Sequence, residues 1–119
     1  MAKILIVDDS RTSRKMLKEL LESLGHEVIG EAVNGEDGFI KYKELNPDLV
    51  TLDITMPKLD GIQALQLIKK HNPEAKALMI TAAGQRDKII QAVKYGAAEF
   101  VTKPYEKEEV EKILRQVLS

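Results

Sequence analysis

Five short apolar runs alternate along this chain with longer stretches whose apolar residues recur at helical spacing. The runs are Ile4-Leu5-Ile6-Val7, a less apolar one from His26 to Val33, Leu49-Val50-Thr51-Leu52, Ala77 to Ile80, and Glu99 to Thr102. Short β-branched or aliphatic runs read as strands and the periodic stretches between them as helices. Met16, Leu17, Leu20, Leu21 and Leu24 mark a first helix, stopped by Gly25. Gly35 to Leu45 is a short second helix that ends before Asn46-Pro47. Met56 to Gly61 reads as a turn, with Asp60 capping a third helix that carries Ile62, Leu65 and Ile68. Ile89, Ile90 and Val93 lie on a fourth helix that stops at Gly96, and Val110, Ile113, Leu114, Val117 and Leu118 stripe a fifth. Strict βα alternation predicts a parallel sheet covered by helices on both faces, with right-handed crossovers. The run from His26 to Val33 is the least apolar and is expected at an edge. We expect one domain over 1–119, with no linker or repeat. In a doubly wound sheet, ligands bind beyond the carboxyl ends of the strands.

Composition narrows the chemistry. At 119 residues, 44% hydrophobic and 31% charged, the chain can bury its own core. It has no cysteine, which excludes disulfides, zinc-thiolate sites and thiol nucleophiles. Its formal net charge of -1 offers no bulk attraction to nucleic acid or anionic membrane. The apolar run near the N-terminus is too short for a signal peptide or a membrane span, so a cytoplasmic protein is expected.

The strand ends carry the informative residues. The first run leads into Asp8-Asp9, the third into Asp53, the fourth into Thr81 and the fifth into Lys103-Pro104. A parallel sheet gathers these ends at one edge. Three carboxylates in one crevice resist ionising together unless a cation joins them. An all-oxygen donor set points to a hard divalent ion, and magnesium fits best. Asp53, on a strand apart from the acid pair, suits a nucleophile toward phosphorus, because carboxylates form aspartyl phosphates. The metal and Lys103 would neutralise the transferring group, and Thr81 would donate to one of its oxygens. Taken singly, each residue has a plainer reading. Asp8 or Asp9 can cap a helix or face solvent, Thr81 can be a cap, and Lys103 can be a surface lysine.

With these motifs in view, the chain resembles the response-regulator receiver domains of two-component signalling along its whole length. The resemblance rests on Asp8-Asp9 after Ile-Leu-Ile-Val, on Asp53 in Asp-Ile-Thr-Met-Pro, and on Asp60-Gly61, Thr81-Ala82 and Lys103-Pro104. It implies a flavodoxin-like (βα)5 fold with strand order 2-1-3-4-5. It implies Asp53 as phosphoacceptor, and magnesium held by Asp9, Asp53 and the backbone carbonyl of Thr55, with Asp8 acting through a metal-bound water. Lys103 would pair with the phosphoryl group, and Lys103-Pro104 would be cis. Thr81 and Phe100 would form the switch, although ordinary core packing is the plainer expectation for Phe100. Tyr95 and Tyr105 would lie on a partner face made by the fourth helix, fifth strand and fifth helix, unless Tyr105 is only a surface aromatic. Thr55 and Ala83 would set the phosphate lifetime. Neither is acidic or amide-bearing, so slow self-dephosphorylation is expected. His26 and His71 are expected to be solvated bystanders.

The resemblance also implies partners: a histidine kinase as phosphodonor, an output protein, and a phosphatase that resets the switch. The protein would signal rather than catalyse, acting only on its own phosphorylation and dephosphorylation. Leu49-Val50-Thr51-Leu52-Asp53-Ile54-Thr55-Met56-Pro57 and Gly84-Gln85 look like the chemotaxis type, whose output is a flagellar motor switch protein. Ser10-Arg11-Thr12-Ser13-Arg14 departs from the usual first-helix start, and a phosphorelay intermediate is the alternative role. Three other classes fit less well. A magnesium phosphatase of the haloacid-dehalogenase type needs an acid where Thr55 stands. A flavin carrier needs a Ser/Thr/Gly-rich loop where the acid pair stands. A transcription factor needs a DNA-binding unit, and none follows within the chain.

Overall fold

Each apolar run forms a strand, and each periodic stretch forms a helix opened by a polar cap or an acidic first turn. In the computed structural model, which describes residues 1–119, the elements are β1 (Lys3–Val7), α1 (Arg11–Ser23), β2 (Glu27–Ala32), α2 (Gly35–Leu45), β3 (Leu49–Asp53), α3 (Gly61–His71), β4 (Ala77–Thr81), α4 (Arg86–Lys94), β5 (Glu99–Thr102) and α5 (Lys107–Leu118). Ser10 caps α1 by accepting the Ser13 N–H, and Asn34 caps α2 by accepting the Asp37 N–H. At α3 the Asp60 side chain accepts the Gln63 N–H while the Gln63 side chain accepts the Asp60 N–H, so two end donors are satisfied at once.

All strand pairs are parallel, in the order β2-β1-β3-β4-β5, so this is the flavodoxin-like arrangement. The less apolar β2 lies at an edge, where one side of a strand meets no partner. Successive strand residues face opposite sides of the sheet and build two layers of core. Leu5, Val7, Val50, Leu52 and Met79 pack with Tyr42 of α2, Ile62, Leu65 and Ile68 of α3, and Ala92 of α4. Ile4, Ile6, Leu49, Leu78, Ile80 and Val101 pack with Leu17 and Leu21 of α1 and with Val110 and Leu114 of α5. The sheet is therefore buried on both faces, and its carboxyl edge is left for chemistry.

Three sequence expectations are corrected. Met16 is 61% exposed, because Leu17 and Leu21 form the buried line of α1 and Met16 falls outside it. Phe100 is not core. It sits on the edge strand β5 and is 37% exposed. His26 is half-buried rather than solvated. Its Nδ1 accepts the Ala2 N–H at 3.0 Å, and burial, followed by the nearby N-terminal ammonium, lowers its pKa. His71 is exposed as expected, and its ring stands edge-on to Phe39 and Tyr42, with centroids 6.2 and 6.4 Å away.

Thr51 leaves an unmet cost in the middle of β3. It is 1% exposed, and its Oγ1 is the one buried side-chain polar atom without a hydrogen-bond partner. Thr51→Val exchanges that hydroxyl for a methyl of similar size. It is expected to stabilise the protein by about 1 kcal/mol, read as a higher denaturant midpoint at unchanged slope. A lower midpoint would show that the hydroxyl is satisfied.

Candidate functional site

The carboxyl ends of β1, β3, β4 and β5 meet at one edge of the sheet. Asp8 and Asp9 follow β1, Asp53 ends β3, Thr81 ends β4, and Lys103 follows β5. Carboxylate oxygens of Asp8, Asp9 and Asp53 all lie within 4.8 Å of one another. Asp8 is buried and Asp9 is exposed. Lys103 Nζ sits 3.3 Å from Asp8 Oδ2 and 3.7 Å from Asp53 Oδ2. It also lies 3.4 Å from Ser13 Oγ. The Lys103-Pro104 bond is cis, and the Lys103 N–H donates to the Thr81 carbonyl at 2.7 Å.

One ammonium against three carboxylates leaves the crevice negative. The imbalance is visible at Asp53, whose pKa is pushed up to about 6. Burial is the main cause and the Asp8 charge the next. The Lys103 ammonium pulls the other way, a hydrogen bond with the Asp8 side chain adds to the rise, and one with the Thr55 backbone opposes it. A hard divalent cation would relieve this strain, and the donor set offered to it is oxygen alone, so the residues present fit magnesium.

The remaining candidates lie further out. Thr81 is buried, and its Oγ1 donates to the Ala82 carbonyl at 3.1 Å rather than to the acids. Thr55 and Ala83 are exposed beside the cluster in sequence. Tyr95 is 41% exposed at the end of α4, near β5 in the chain, whereas Tyr105 is half-buried against the α1–α5 layer of core. Burial, followed by the Asp8 charge, raises the pKa of Tyr105. A cavity of about 400 Å³ at the opposite end of the sheet, touching Ala2, His26, Asp48 and Lys76, contains none of these residues.

Two residues escaped the sequence reading. Ser13 approaches Lys103, and Arg14 Nη1 donates to the Asp8 carbonyl at 2.8 Å. The signal was present in Asp8-x-Ser10, since an Asp side chain readily accepts the backbone N–H two residues on and so holds the helix start beside it. Indeed the Ser10 N–H donates to Asp8 Oδ1 at 2.8 Å.

Known proteins are similar to this chain. The response regulator receiver domain family matches residues 4–115. The chemotaxis protein CheY of Thermotoga maritima is 46% identical over 115 residues, covering 97% of this chain and 96% of that protein. The chemotaxis protein CheY of Bacillus subtilis is 44% identical over 117 residues, covering 98% of each. Among solved structures, a chain in the crystal structure of the CheX–CheY–BeF3–Mg2+ complex from Borrelia burgdorferi superimposes with a TM-score of 0.93 at 39% identity, covering 98% of this chain and 89% of that one. The acid cluster, the sheet order and these relatives lead to one conclusion: the chain belongs to the response regulator receiver family.

Proposed function

We propose that this chain is a phosphorylation-activated signalling switch that takes a phosphoryl group onto Asp53 from a histidine kinase. The observation that carries the reading is the meeting of Asp8, Asp9 and Asp53 within 4.8 Å, with Lys103 Nζ 3.3 Å from Asp8 and 3.7 Å from Asp53. Asp9, Asp53 and the Thr55 carbonyl would hold magnesium. Asp8, already engaged by Ser10 and Lys103, would act through a bound water. Magnesium, when bound, supplies positive charge to the oxygens of the transferring phosphoryl group.

The transfer itself falls to Asp53. A carboxylate oxygen bonds to phosphorus as the phosphorus–nitrogen bond of a phosphohistidine breaks, and that electron pair leaves with the imidazole nitrogen. Asp53 would attack as the carboxylate, the form that Lys103 and a bound cation favour against the upward push of burial and Asp8. Lys103, now shared between two acids, would move to the incoming phosphoryl oxygens. The test is direct: with magnesium and a small phosphodonor, wild type should gain the mass of one phosphoryl group and Asp53→Asn none. Equal gain by both would remove Asp53 from the role.

Phosphorylation adds roughly -1.5 to -2 charges and three acceptor oxygens. Thr81 would respond by turning its hydroxyl from the Ala82 carbonyl to the phosphoryl group, and Phe100 would follow inward. The expected output surface is apolar: Ile90, Val93, Tyr95 and Phe100 of the α4–β5 region are 62, 58, 41 and 37% exposed. Tyr105, between β5 and α5 in the chain, would border that surface. The two relatives named as chemotaxis proteins favour a chemotaxis role, and the CheX–CheY complex supports a CheX-type partner. The output would be a flagellar motor switch protein. No helix is long and apolar enough to cross a membrane. The proposed role would put the protein in the cytoplasm beside its kinase.

Thr81→Ala separates accepting phosphate from reporting it. The variant is expected to take up phosphate normally while losing most of the phosphorylation-dependent gain in partner affinity, measured by calorimetry against the output protein. A gain equal to that of wild type would rule out Thr81 as the coupling residue.

A further inference from the structure

Arg14 is engaged in a way that surface capping does not explain. Its side chain is only 14% exposed, unusually low for an arginine. One end of the guanidinium, Nη1, donates to the backbone carbonyl of Asp8 at 2.8 Å, while Nε donates to Glu31 Oε1 at 3.1 Å. Glu31 stands on the edge strand β2 and is itself held. Lys18 Nζ lies 3.9 Å from its other carboxylate oxygen, and Lys41 Nζ donates to its backbone carbonyl. The Asp8 carbonyl belongs to the peptide that joins Asp8 to Asp9. Fixing that peptide plane fixes the start of both acidic side chains. The Asp8 N–H is already anchored to the Ala32 carbonyl of β2 at 3.0 Å, so Arg14 closes the second side of a short frame around the acid pair.

The geometry points to Arg14 as a positioning residue that, oriented by Glu31, presets Asp8 and Asp9 for a divalent cation. This inference rests on the magnesium reading above. Charge and position act in opposite directions here. Removing a cation near the crevice should by itself strengthen the hold on a second cation. Removing the residue that fixes the acid pair should weaken it.

The sign of the change therefore decides. The full chain is titrated with magnesium alone, following amide shifts by NMR, for wild type, Arg14→Ala, Glu31→Gln and the double variant. Thermal melts confirm that each is folded. Arg14→Ala is expected to bind magnesium about tenfold more weakly than wild type, with Glu31→Gln shifted the same way. The double variant should be no weaker than Arg14→Ala, because Glu31 acts through Arg14. Binding by Arg14→Ala as tight as wild type, or tighter, would overturn the positioning role. If Arg14→Ala does not fold, unchanged affinity in Glu31→Gln overturns it instead. A wild type that binds no magnesium would defeat the magnesium reading and this inference together, whereas a wild type that binds, matched by its variants, would defeat this inference alone.

Discussion

Gly61→Ala is expected to destabilise the protein by about 3 kcal/mol and to displace Asp53. The reason is space rather than conformation. A Cβ at Gly61 would lie 2.2 Å from the Asp53 carbonyl oxygen and 2.8 Å from the Ile54 Cα. Both are backbone atoms at the end of a central strand and cannot swing aside. The approach is this close because the Gly61 N–H donates to the Ile54 carbonyl at 2.9 Å, which ties the first turn of α3 to the end of β3. Relief would move either the helix start or the strand end that carries the acceptor carboxylate. A shift near 1 Å in a reacting group can cost on the order of a hundredfold in rate, so phosphate uptake should fall as well. Gly25→Ala is the contrast. Gly25 has φ 90° with nothing within 4 Å of its added Cβ, so only conformational strain of about 1 kcal/mol is expected. Denaturant unfolding of both variants reads the difference. Near-equal midpoints for Gly61→Ala and wild type would contradict the close approach.

Asp53→Asn is expected to raise stability by about 1 to 2 kcal/mol at neutral pH in metal-free buffer. The sign follows from protons bound. In the unfolded chain this carboxyl titrates near its ordinary value of 3.8, and in the folded protein at about 6. Between those values the unfolded state has released a proton that the folded state keeps. Stability therefore falls as pH rises through that window and stays lower above it. Asparagine cannot ionise, so this loss disappears. The expected gain is set below the full shift because Asp53 is only partly buried, beside the exposed Asp9, and Lys103 loses a partner. Below pH 4 the advantage of the variant should vanish, and with magnesium it should shrink as the metal stabilises wild type. Unfolding curves in chelator at pH 4 and 7.5 provide the check. A destabilised Asp53→Asn at pH 7.5 would mean that the carboxylate is favourably paired rather than strained.

The strand ends were readable in the sequence for a simple reason. Each polar group follows directly on an apolar run, and a parallel sheet brings such ends to one edge. Asp8, Asp9, Asp53 and Lys103 meet there as the chain pattern implies. Strand order was not readable, since alternation is compatible with several windings, and 2-1-3-4-5 came only with the family resemblance. Exposure of Phe100, Ile90 and Val93 was equally hidden, because an apolar side chain looks the same in a core and on a partner face. The contacts of His26 and His71 depend on the N-terminus and on α2, which only folding brings near. Arg14 shows both limits. Its place in the first turn of α1 is local, but its partner Glu31 lies 17 residues away and is reached only because β2 pairs with β1.

The central claim is that the acid crevice is a phosphoryl switch rather than a solvated surface. Titration with beryllofluoride, a phosphoryl mimic, tests it most directly, with and without magnesium, by amide NMR on wild type and Asp53→Asn. The account predicts magnesium-dependent shifts at Asp9, Asp53, Thr81 and Lys103 that spread to Phe100 and are absent in Asp53→Asn. No response in wild type would contradict it.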